Sequence, residues 1–62
     1  MKVGEVWIEK VADDEGRKEC ITLIEYQGLD LWWVESDMSY DQENILYPGQ
    51  FIYNNYEKIR EA

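Results

Sequence analysis

A length of 62 residues leaves room for a single domain, residues 1–62, and excludes a second one. A hydrophobic fraction of 45% with 15% aromatic residues is typical of a folded protein and excludes a disordered acidic tail. The formal net charge of -8 argues against direct nucleic-acid binding, because phosphate contacts need clustered lysine and arginine side chains.

Cysteine content and hydropathy indicate the compartment. Cys20 is the only cysteine, so no internal disulfide can form, whereas a small secreted domain normally needs several. The chain has no charged leader followed by an apolar run and no stretch as long as a membrane span. We therefore expect a cytoplasmic protein that does not associate with a membrane.

The first half of the chain predicts two strands. Residues 2–11 alternate apolar and polar side chains, with Val6 and Ile8 on one face and Trp7 on the other. The acidic run at residues 12–17 ends near a glycine and reads as a hairpin loop. Residues 18–27 are rich in β-branched and aromatic side chains and form the second predicted strand.

The second half predicts three more strands and one helical turn. The turn signal at residues 27–28 is followed at once by a strand at 29–35, so strands two and three must form an antiparallel hairpin. Residues 36–44 read as an irregular loop, and residues 45–47 as a short strand that Pro48 and Gly49 end. Residues 50–55 suit a tight 3₁₀ turn, and residues 56–59 form the closing strand.

Four strands, one helical turn and a fifth strand is the element order of the SH3-like barrels, and the chain resembles this group. The opening Val3-Gly4-Glu5-Val6-Trp7, and Phe51 followed by Tyr56, are similar to segments of small bacterial and phage proteins of this type. The resemblance implies an all-β fold, a five-stranded antiparallel SH3-like barrel with a short 3₁₀ turn before the last strand. Phe51 and Tyr56 are then expected in the core, where they would close one end of the barrel.

The residue types argue against catalysis and against a metal site. There is no histidine to exchange protons near neutral pH, and Cys20 lies in an apolar strand without a neighbouring base. Asp37, Asp41 and Glu43 could offer oxygen ligands, but their spacing does not match a calcium-binding loop and no glycine supplies its sharp turn. We predict a protein that is not an enzyme and that has no cofactor and no metal.

The charge pattern indicates a binding surface. Residues 19–57 contain no lysine or arginine but hold eight carboxylates and eight of the nine aromatic side chains. Strand alternation sends Trp32 and Trp33 to opposite faces, so one of them must leave the interior, and Trp7 lies opposite Val6 and Ile8. An acidic surface with exposed rings favours a cationic partner. The predicted partner-binding residues are Trp7, Tyr26, Asp30, Trp32, Trp33, Glu35, Asp37, Tyr40, Asp41 and Glu43.

Three kinds of partner fit this surface. We expect foremost a basic surface on another protein, which the acidic chain would engage as an adapter or as a phage-type inhibitor that imitates a nucleic acid. The alternative is a homodimer that hides the aromatic surface between two copies. A further alternative is a Tudor-like aromatic cage in which Tyr26 and Tyr40, with Trp32 or Trp33, surround a lysine or arginine side chain.

Overall fold

The computed structural model describes residues 1–38 and 44–62 and shows an all-β protein with one short helix. In chain order the elements are β1 (Val6–Glu9), β2 (Cys20–Gly28), β3 (Leu31–Ser36), β4 (Ile45–Pro48), α1 (Gly49–Asn55) and β5 (Tyr56–Arg60). In the part of the chain that the structure describes, no helix is both long and apolar enough to cross a membrane.

All five strands belong to one antiparallel sheet with the order β4-β3-β2-β1-β5. Strands β4 and β5 are therefore its two edges. They do not pair with each other, so the barrel is not closed, and the predicted closed barrel is wrong in this respect. Side chains, rather than backbone hydrogen bonds, connect the two edges.

Glu19 is the residue that connects them. Its Oε1 accepts hydrogen bonds from the Tyr47 hydroxyl on β4, at 3.3 Å, and from the Tyr56 hydroxyl on β5. Its Oε2 accepts a hydrogen bond from Ser36 Oγ at the end of β3. One carboxylate thus satisfies three hydroxyl groups from three strands. Because the Tyr47 and Tyr56 ring centroids are only 6.2 Å apart, the sheet must curl around this point.

The core lies on the concave face of the curled sheet. It is formed by inward-facing residues of every strand except β4 and by one helical side chain: Trp7, Ile21, Leu23, Trp32, Val34, Ile52 and Tyr56. Ile45 and Tyr47 from β4 pack against this cluster. Alternation along β3 therefore buries Trp32 and places Trp33 on the opposite face.

Trp7 is buried, so the expectation that it would face a partner is wrong. The first strand does separate Trp7 from Val6 and Ile8, but Trp7 is on the core side and is only 8% exposed. Its indole Nε1 donates to the carboxylate of Glu5, which is itself buried and lies 3.5 Å from Lys58 Nζ. A tryptophan with a buried acceptor can enter the interior without losing its hydrogen bond.

Helix α1 replaces the predicted 3₁₀ turn. A seven-residue helix after Pro48 was expected to be too short, but tertiary contacts support it. The Asp30 backbone oxygen accepts from the Gly49 N–H at 2.6 Å, and Asp30 Oδ2 accepts from the Gln50 N–H at 3.0 Å. These bonds satisfy two donors that a helix start leaves free. Ile52, on the inner side of the helix, is fully buried.

The two aromatic residues that were expected to close the barrel differ in how deeply they are buried. Tyr56 is in the core, as predicted, whereas Phe51 is 42% exposed, so its predicted core position is wrong. Both rings remain in contact, with centroids 6.0 Å apart. The α-helical turn explains the difference, because it buries Ile52 and rotates Phe51 to the rim.

Candidate functional site

An open groove lies between the β2–β3 hairpin and helix α1. It has a volume of about 390 Å³ and we call it the aromatic groove. It is lined by Met1, Tyr26, Asp30, Trp32, Gly49, Gln50 and Tyr53. This volume is at the low end of the range for ligand-binding pockets and is suited to a side chain or a short peptide segment.

A β-bulge in β2 brings Tyr26 into the groove. Strict alternation from the buried Ile21 and Leu23 would send Tyr26 to the opposite face. The register with β3 shifts between Leu23 and Glu25, so that Tyr26 pairs with Trp32 on the concave side. An extra residue in one strand re-aims the side chains that follow it. The Tyr26 and Trp32 rings consequently meet with centroids 4.7 Å apart and planes tilted by 54°.

The hairpin turn that follows holds Asp30 at the edge of the groove. Its two central residues, Leu29 and Asp30, have φ angles of 55° and 59°, as a type I′ turn requires. Aspartate tolerates this left-handed region, but leucine does so at a cost of about 1–2 kcal/mol. The Asp30 N–H donates to the Tyr26 hydroxyl at 3.1 Å. With the two bonds to α1, Asp30 joins both walls of the groove.

Gly49 forms the floor of the groove. A β-carbon at this position would overlap Asp30 Oδ1 and would lie 3.2 Å from Trp32 Nε1. Only glycine therefore allows the Asp30 carboxylate to approach the helix this closely. The requirement here is space, because the Gly49 φ angle is not in the left-handed region.

Helix α1 supplies the third aromatic wall. Gly49, Gln50 and Tyr53 share one side of the helix, since residues three and four apart are neighbours on a helical surface. Tyr53 is 66% exposed, so its ring remains available for contact. Tyr53 was not among the predicted binding residues. The helical spacing of Gly49 and Tyr53 was the signal that could have identified it.

Apart from Trp7, which is in the core, the predicted binding residues in the described part of the chain fall into three groups. Tyr26, Asp30 and Trp32 come together in the aromatic groove. Trp33 lies on the convex face, half-buried, and donates through Nε1 to Gln27 Oε1 at 2.8 Å. Glu35 and Asp37 are exposed and line a separate shallow depression around Cys20. Tyr40, Asp41 and Glu43 lie outside the described residues.

Several carboxylates, both buried and exposed, accept hydrogen bonds within the fold. Among the described residues, the carboxylates that accept hydrogen bonds include Glu5, Glu9, Asp13, Glu19, Asp30 and Asp37. Asp37 Oδ1, for example, accepts from the Cys20 N–H at 2.9 Å. The acidic composition is therefore partly an internal bonding requirement.

Burial and nearby carboxylates shift several pKa values. Burial, together with the hydrogen bond to Glu19, raises the pKa of Tyr56 far above its ordinary value, and burial raises the pKa of Tyr47 as well. Burial and the neighbouring Asp37 also raise the pKa of the Cys20 thiol. A thiol with a raised pKa is a weaker nucleophile at neutral pH because less of it is thiolate.

Glu5 shows the opposite shift. Burial alone would raise its pKa, but hydrogen bonds from the Lys2 backbone and the Trp7 indole, with the nearby Lys58 ammonium, outweigh burial and lower the pKa. Glu5 is thus a charged anchor inside the fold. It has no access to the aromatic groove.

Comparison with protein families, curated proteins and solved structures finds no match to this chain. Within the described residues, no cluster of histidine, cysteine, aspartate and glutamate side chains could hold a metal ion.

Proposed function

We propose that the protein is a non-enzymatic binding module whose aromatic groove holds a lysine or arginine side chain from a basic partner protein. The observation that carries this proposal is the convergence of Tyr26, Trp32 and Tyr53 around a groove that also contains the Asp30 carboxylate. This combination supplies both the apolar surface and the negative charge that a cationic side chain needs.

Aromatic faces attract cations through their ring quadrupoles when the charge lies within about 6 Å of the ring centre. Tyr26 is 51% exposed and packs against the largely buried Trp32, with ring centroids 4.7 Å apart, so a cation that contacts the Tyr26 ring also lies near the Trp32 ring. Their 54° tilt forms a corner rather than a flat stack. Such a corner suits a side chain that enters end-on, and the aliphatic stem of lysine or arginine can pack along Tyr53.

Asp30 supplies the charge complementarity. Oδ2 already accepts the Gln50 N–H, which fixes the carboxylate in place before any ligand arrives. Among the described residues that line the groove, none is a lysine or an arginine. The Asp30 carboxylate is therefore already fixed in position and free to pair with a cation from another protein. Binding then costs little side-chain conformational entropy at Asp30.

The net charge of -8 supports the same class of partner. A strongly acidic domain attracts basic surfaces over a distance of about one Debye length, roughly 8–10 Å in physiological salt, and so accelerates their encounter. Nucleic-acid imitation is a weaker candidate, since it needs only an acidic surface and does not account for the aromatic residues that line the groove. Self-association is also weaker, because each copy would bring the same excess of negative charge to the interface.

We also propose that the fold is related to the SH3-like barrels. The meander of β1 to β4, the return of β5 beside β1, and the helix between β4 and β5 support it. The side-chain bridge through Glu19 takes the place of backbone pairing between the sheet edges. We therefore interpret the domain as an open variant of an SH3-like barrel.

Titration of ¹⁵N-labelled protein with N-acetyl-lysine methylamide tests the proposed function. We expect chemical-shift changes concentrated at the Trp32 indole N–H and the Gln50 amide, and weaker binding as salt is raised. The neutral analogue N-acetyl-norleucine methylamide has a similar stem without the charge and should bind far more weakly. Asp30→Asn keeps the acceptor for Gln50 but removes the charge, so it should reduce binding while the fold is retained. Equal binding of the two probes would refute the proposal.

A further inference from the structure

Leu29 is the least protected large apolar side chain in the described part of the protein, with 94% of its surface exposed. It is at the tip of the β2–β3 hairpin, directly before Asp30 of the aromatic groove. Single exposed apolar residues are common on protein surfaces. Leu29 differs because its backbone conformation is unfavourable for its side chain.

Both central residues of the turn have positive φ angles, a conformation that favours asparagine, aspartate or glycine. Aspartate at the second position follows this preference and leucine at the first does not. An asparagine in place of Leu29 would suit the backbone and would remove the exposed apolar surface. Leucine is thus unfavourable here for folding and for solubility, which points to a role in binding.

The turn is held rigidly even though its tip is exposed. Asp30 donates its N–H to the Tyr26 hydroxyl, and its backbone oxygen and carboxylate accept the first two N–H groups of α1. Leu29 is therefore displayed from an anchored backbone. An apolar side chain presented in this way can bury its surface against a partner with little additional loss of conformational entropy.

We propose that Leu29 is an apolar anchor that contacts a hydrophobic residue of the basic partner, next to the cation held in the groove. This inference rests on the proposed function, because Asp30 and its groove define where the cation lies. Consecutive α-carbons are about 3.8 Å apart, and an extended peptide advances about 3.3 Å per residue. The ligand is thus a basic peptide segment with an apolar side chain within about two residues of its lysine.

A double-mutant cycle with two synthetic peptides tests this inference. One peptide carries a lysine and a leucine two residues apart in a glycine-serine background, and the other has serine in place of the leucine. Wild-type protein should bind the leucine peptide about fivefold more tightly, as partial burial of a leucine side chain would give. Leu29→Asn should bind both peptides equally, with the affinity that wild-type protein has for the serine peptide.

Two controls separate binding from folding. The thermal midpoint of Leu29→Asn should be equal to or above that of wild-type protein, because asparagine suits the turn. Val11 is 78% exposed and is not among the residues that line the groove, and Val11→Asn should keep the preference for the leucine peptide.

The outcomes distinguish the inference from the proposed function. If wild-type protein binds both peptides equally, or if Leu29→Asn keeps the fivefold preference, the Leu29 inference is wrong and the groove proposal stands. If neither peptide shifts the groove resonances of the wild-type protein, both are wrong.

Discussion

Replacing Tyr56 by phenylalanine should destabilise the fold by about 2 kcal/mol, because this hydroxyl helps to hold the two sheet edges together. Tyr56 is 3% exposed and donates to the Glu19 carboxylate. A hydrogen bond to a charged group contributes about 1.5–3 kcal/mol to stability. In a domain of this size each kcal/mol shifts the thermal midpoint by about 4–8 °C, so about 2 kcal/mol predicts a fall of about 8–16 °C.

Thermal and urea denaturation followed by circular dichroism would measure this change. Tyr53→Phe is a matched control, since Tyr53 is on the same helix–strand unit but is 66% exposed. Because this hydroxyl is on an exposed side chain, Tyr53→Phe should change the free energy of unfolding by no more than about 0.5 kcal/mol. If Tyr56→Phe unfolds at the wild-type midpoint, the Glu19 bridge does not stabilise the curled sheet and this reasoning is wrong.

Three further predictions follow from pKa shifts and from the groove floor. The raised pKa values of Tyr47 and Tyr56 mean that the folded state favours the neutral phenols. Their contribution to the free energy of unfolding should therefore be fully present below about pH 10 and should fall as the pH rises above it. Urea denaturation midpoints measured across this range would test the expectation. The lowered pKa of Glu5 has the opposite sign, so the stability difference between wild-type protein and Glu5→Gln should be largest above about pH 4.5 and should shrink as pH falls. Gly49→Ala should displace the Asp30 carboxylate, and calorimetric titration should show weaker binding of the lysine probe than wild-type protein gives.

The strand pattern of the sequence predicted most of the sheet correctly. The hairpin of strands two and three, the short fourth strand and the final strand are all present, with boundaries shifted by one or two residues. The turn itself differs, because Gly28 ends β2 and the central positions are Leu29 and Asp30. Gly28 has a positive φ angle of 101°, as a glycine beside a turn often does. It is the last residue of β2, however, and not a central residue of the turn.

Features that depend on tertiary contacts could not be predicted from the sequence. Alternation could not reveal the bulge that turns Tyr26 toward Trp32, since no residue type marks it uniquely. Periodicity placed Trp7 on one face of its strand but could not say that this face is the core. Helix α1 depends on Asp30, which is distant in sequence, so local propensity underestimated it.

The candidate site was predicted in part for the same reason. Tyr26, Asp30 and Trp32 were selected for charge and aromatic character, and they do come together. The Tudor-like alternative paired Tyr26 and a tryptophan with Tyr40, which lies outside the described residues. Among the described residues, Tyr53 forms the third aromatic wall of the groove, because α1 packs beside the hairpin.

Intermolecular nuclear Overhauser effects between a lysine probe and the protein would test the central claim most directly. With N-acetyl-trimethyllysine methylamide, whose methyl protons surround the charge, we expect contacts to the rings of Tyr26, Trp32 and Tyr53. Asp30→Asn should weaken all three together. Contacts only to Trp33 on the convex face, or no contacts to any aromatic ring, would contradict the assignment of the aromatic groove as a cation-binding site.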